Sequence, residues 1–91
     1  MNRNEIYKAI ERERDYQDNK YGPIYDRAHS VVEWLLIMRK ELEEAENGWI
    51  KGTEEAALEE LLQVVAVGVA AMEQHGFVER IEIEKEKMNG S

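Results

Sequence analysis

Glu41 and Glu44 are followed, after fifteen intervening residues, by Glu60 and Gln63, and the three-residue step within each pair is the feature of this sequence best suited to chemistry. At about 100° per residue, side chains three apart on a helix lie about 60° apart on one face. Two such pairs on neighbouring antiparallel helices would bring three carboxylates and an amide oxygen together. An all-oxygen set of that kind suits a hard divalent cation, Mg²⁺ or Mn²⁺, which keeps water and accepts phosphate oxygens. Such an ion orients phosphates, stabilises developing charge and lowers the pKa of a bound water that can attack phosphorus. The competing reading is a solvated acidic face, since "KELEEAE" is ordinary helix-surface sequence. Glu33 lies on the same face and is a further candidate acid.

The elements that must hold these pairs are readable from periodicity. Ile6, Ala9, Ile10, Glu13 and Tyr16 or Gln17 recur at helical spacing, which predicts a helix over 2–20 ended by Gly22 and Pro23. A second helix is expected over 30–47, with Gly48 as its stop and "GWIKG" as a loop. Thr53 reads as an N-cap with Glu54 and Glu55 in the first turn, opening a third helix over 54–75 that ends at Gly76. The tail, 77–91, reads as a short helix or a disordered end. The fold class is therefore all-α, in one domain spanning 1–91. Residues 61–72 are apolar on nearly every side, which predicts a helical bundle completed by another copy of the chain.

Composition narrows the partners. The 91 residues hold 12 Lys and Arg against 20 Asp and Glu, a net charge of −8, and the basic residues are interleaved with acids. That charge repels a nucleic-acid polymer and makes a bridging cation useful to any small polyanionic ligand. With no cysteine, disulfide frameworks and thiolate metal sites are excluded, which fits a reducing cytoplasm. The N-terminal stretch has no secretory apolar core, and 61–72 is too short to span a bilayer, so no membrane association is expected.

With the spacing Glu41-x-x-Glu44 and Glu60-x-x-Gln63 on the page, the chain resembles the all-α nucleoside triphosphate pyrophosphohydrolases, the MazG-like group. The segments "HSVVEWLLIMRKELEEAE" and "LEELLQVVAVGVAAME" look like the short single-domain members. The resemblance covers about three quarters of the chain. It implies a homodimer or homotetramer, Mg²⁺ on the acidic residues, and cleavage of a nucleoside triphosphate to monophosphate and pyrophosphate, as housecleaning of the nucleotide pool. Carried over, Glu41, Glu44 and Glu60 hold metal and act in catalysis, and Gln63 stands where the pattern has Asp. An amide oxygen can ligate but brings no charge. The first motif is often written with two adjacent acids, whereas here Lys40 precedes Glu41.

In the substrate-binding stretch, Gln17, Lys20 and Tyr21 are candidates, Lys20 for phosphate and Tyr21 for stacking on a base. A solvated lysine and a turn-packing tyrosine are the alternative. Lys40 is a second candidate for phosphate. His29, four residues before Glu33, is expected at a helix start and bonded to that carboxylate. Trp34, Met38 and Met72 are expected in the core, and Trp49 in the loop between the acidic helices, as an anchor or part of a pocket formed with a second chain. A catalytically degenerate nucleotide-binding protein and a purely structural helical oligomer are the rival functions.

Overall fold

The computed structural model describes residues 1–80, and the expectation for the tail falls largely on residues outside that range. The chain forms α1 (Arg3–Tyr21), a 3₁₀ turn (Ile24–Asp26), α2 (Val31–Lys51) and α3 (Glu54–His75), with no strand among the described residues. The all-α class is as expected. None of the described helices is long and apolar enough to cross a membrane.

Each helix begins on a side chain that satisfies otherwise unpaired first-turn N–H groups. Asn2 accepts from the Glu5 N–H at 2.9 Å, and Thr53 accepts from the Ala56 N–H at 3.2 Å. At α2 the cap is reciprocal: Ser30 Oγ accepts from Glu33 N, while Glu33 Oε1 accepts from Ser30 N at 2.8 Å. Glu33 is thereby used as a capping residue and does not line the cavity described below, which removes it as a substitute for the acid missing at Gln63. Its bond to the Ser30 backbone holds its pKa below the usual carboxylate value.

The second helix runs four residues past its expected end, through Gly48, Trp49 and Ile50. Gly48 does not stop it, because a glycine in a helix costs only about 1 kcal/mol against alanine and the helical hydrogen bonds carry on through it. The stop is Gly52, where a Cβ would lie 2.8 Å from the Gly48 carbonyl oxygen. Trp49 therefore sits on the last turn of α2, not in a loop, and is 63% exposed. The first helix ends on Gly22, whose φ of +92° is a left-handed-side conformation that glycine adopts without steric cost.

The second and third helices form the main antiparallel pair, while α1 and the 3₁₀ turn pack on α3. The buried cluster is small: Trp34, Val67 and Ala70, with Ile24, Ile37, Met38 and Ala71 packed against it. Met72, expected in the core, is 49% exposed, because it lies on the side of α3 turned away from Val67 and Ala70.

One polar latch holds the far end of the pair. Gln74 Oε1 accepts from Trp34 Nε1 at 2.8 Å and from His29 N at 3.0 Å, and its amide donates to His29 O at 2.7 Å. The buried indole N–H thus has the partner that burial demands.

Candidate functional site

Two helices resting on a third without substantial contact between them leave a gap, and that gap is a cavity of about 690 Å³. Its α1 wall carries Glu13, Tyr16, Gln17, Lys20 and Tyr21. Opposite stand Arg27 and His29 from the connection, then Trp34, Ile37 and Glu41 of α2. The floor is α3, through Glu59, Leu62, Gln63 and Val67.

One end of this cavity is acidic. Glu41, Glu44 and Glu60 each bring a carboxylate oxygen to within 4.8 Å of the others, the convergence expected from the two three-residue steps. Glu41 Oε2 and Glu60 Oε2 are both occluded from solvent and have no hydrogen-bond partner among the described residues. Burial, followed by the charge and hydrogen bond of Glu44 and then the charge of Glu60, raises the Glu41 pKa above the usual value. Glu13 approaches from α1, and its pKa is also raised, first by burial and then by the charges of Glu59 and Glu60. Crowded acids are costly in the absence of a counterion, and an all-oxygen group of this kind could hold a divalent ion. The residues present therefore fit a Mg²⁺ or Mn²⁺ ion.

Cations mark the other end. Lys20 Nζ lies 5.8 Å from the Tyr16 ring centre and 5.2 Å from that of Tyr21, within cation–π range. Hydrogen bonding to Tyr21 leads the causes that raise its pKa. Arg27 donates through Nε to Gly22 O at 2.9 Å and through NH2 to Asp18 at 3.2 Å. Lys20 lies seven positions after Glu13 on α1, so the two ends stand about 10 Å apart along that helix.

Of the residues expected at the site, Glu41, Gln63, Gln17, Lys20 and Tyr21 line this one cavity, and Glu44 and Glu60 complete the acid group. Lys40 is exposed and does not line the cavity; its charge offsets part of the upward shift of Glu41. His29 lines the wall and sets its ring edge-on to Trp34 at 4.9 Å, with Nδ1 4.0 Å from Glu33. Sequence reasoning missed Glu59 and Arg27 altogether, and it assigned no site role to Glu13 or Arg14. A signal existed on α1, where Glu13 and Gln17 interrupt an otherwise apolar stripe. Comparison with known proteins finds no matching family model, curated protein or solved structure.

Proposed function

We propose that the chain is a Mg²⁺-dependent nucleoside triphosphate pyrophosphohydrolase of MazG-like type, releasing monophosphate and pyrophosphate in the cytoplasm. The observation that carries this reading is the trio Glu41, Glu44 and Glu60 at the acidic end of a cavity whose other end holds Lys20 and Arg27. A polyphosphate needs cationic charge at a site built of acids, and an aromatic-walled, partly apolar cavity suits the uncharged base. Bound Mg²⁺ would supply Lewis-acid charge and an activated water. Glu41 and Glu60 would hold it through the oxygens that lack a hydrogen-bond partner among the described residues, Glu44 would complete the carboxylates, and Gln63 would offer a neutral oxygen. Lys20 meets the phosphate charge at the open side, and Tyr16 and Tyr21 present faces for stacking. The test is pyrophosphate release from a panel of nucleoside triphosphates with and without Mg²⁺, and absence of release from all of them refutes the enzyme reading.

A second reading, a nucleotide-binding protein without turnover, is favoured by one residue. Gln63 brings no charge where the resembled pattern has Asp. Gln63→Asp separates the two: a silent protein that gains Mg²⁺ affinity and turnover is a degenerate enzyme, whereas an active one that changes little never required the acid.

Self-association belongs to the same proposal. Leu58, Leu61, Val65 and Met72 recur at steps of three, four and seven along α3 and are 40–61% exposed. With Ala45, Trp49 and Ile50 of α2, the first two border an apolar groove of about 430 Å³. A second copy meeting this face buries the surface that the single chain leaves in water.

A further inference from the structure

Among the cavity's lining residues, Gln17 is unusual in being a neutral polar group that is only 7% exposed. Its neighbour Arg14, 5% exposed, explains its orientation. The guanidinium has three nitrogens, and each is committed: Nε to Glu73, NH2 to Asp18 at 2.9 Å, and NH1 to Gln17 Oε1 at 3.1 Å. Arginine has donors and no acceptor, so the amide must present its oxygen to Arg14. The Gln17 Nε2 group is consequently fixed as the outward half of the amide, and no hydrogen bond to it occurs among the described residues. Gln63, the other cavity amide, has no such arginine partner among the described residues.

A buried amide whose open half is a pure donor selects for an acceptor on whatever fills the space beside it. Trp34, Ile37, Leu62 and Val67 line the same cavity, so this stretch suits the uncharged, planar part of a ligand, with the phosphates kept toward the acidic end. We propose that Gln17, with its amide held by Arg14, is a specificity-determining residue that donates to an exocyclic carbonyl of the base and so favours keto over amino nucleotides. This rests on the nucleotide reading above. Arg14 acts here as a positioning residue.

The discriminating pairs are UTP against CTP and ITP against ATP, which differ in carrying a carbonyl or an amino group at one exocyclic position, together with the protonation of the adjacent ring nitrogen. The experiment measures Kd by calorimetry, with Mg²⁺, for the non-hydrolysable α,β-imido analogues of these four nucleotides. Wild type, Gln17→Glu and Gln17→Met are compared, each checked for helix content. The expected wild-type preference is about tenfold or more for the keto member, the worth of one buried hydrogen bond. In Gln17→Glu one carboxylate oxygen keeps the Arg14 bond and the other turns an acceptor into the cavity, so the keto-to-amino ratio inverts. Gln17→Met removes the polar group and brings the ratio close to one. Binding with a ratio that is the same in all three proteins overturns the role of Gln17 while leaving the nucleotide site standing. No binding of any analogue to wild type overturns the nucleotide reading and this inference with it.

Discussion

Neutralising one acid of the trio is expected to stabilise the metal-free protein. Glu41 is the residue to change, since its Oε2 is occluded and lacks a hydrogen-bond donor, so that Gln at this position sacrifices no bond at that atom. Carboxylate oxygens within 4.8 Å of one another repel by roughly 3 to 4 kcal/mol at an effective dielectric of about 20 and by about 1 kcal/mol in bulk water. Glu44 is exposed and Glu41 only partly buried, so the value near water applies. Glu41→Gln is accordingly expected to gain about 1 kcal/mol in EDTA, or about 4–8 °C in Tm for a domain of this size. Mg²⁺ is expected to reverse the order, because an ion that binds only the folded form at about a hundred times its Kd would add about 2.7 kcal/mol to wild type and much less to the variant. Thermal unfolding followed by circular dichroism, in EDTA and then in Mg²⁺, reads both effects. A variant less stable than wild type in EDTA, together with no Mg²⁺ shift in wild type, refutes the idea that these carboxylates are strained for want of a cation.

The same crowding sets a pH dependence. Glu13 and Glu41 have native pKa values above the usual carboxylate value, so the folded chain takes up protons first and stability rises as pH falls from about 7 into the range just above that value. Glu33, lowered by its cap, contributes stability that is lost only at more acid pH, as its own lowered pKa is crossed. Urea midpoints in EDTA at about pH 7 and about pH 5 check the sign, and stabilisation by Mg²⁺ should fall over the same interval. Gln74→Ala leaves the Trp34 indole N–H and the His29 backbone N–H without their acceptor, while His75 Nε2 still meets the His29 carbonyl, and should cost about 2–3 kcal/mol in chemical denaturation. Replacing Leu58 and Leu61 together by Glu puts charge on the apolar groove, and analytical ultracentrifugation should then show a smaller species than wild type gives, with helix content retained.

The parts of the fold that could be read in advance are those set by local signals. Thr53 and Gly76 mark helix ends through their own side chain or conformation, and the structure agrees with them. Gly48 misled because a glycine stops a helix only when the backbone leaves helical geometry there, and that departure comes at Gly52. The acid trio was legible because its spacing lies within two helices joined by a short connection. Glu13 and Glu59 escaped because their meeting depends on how α1 docks on α3, a long-range choice that no local spacing encodes. Arg14 escaped for the same reason, since its partner Glu73 is 59 residues away in the chain. The polar positions on the inner stripe of α1 were the available hint.

The order of the cavity's walls along the chain has a consequence for its synthesis. Residues from α1, the connection and α2 supply both sides, yet the surface that brings them together is α3, the last of the described helices to leave the ribosome. A nascent chain that has made only the first two helices has lateral faces and nothing to seat them on. The cavity and the fold are therefore completed together, and a truncated product lacking its third helix has no such cavity.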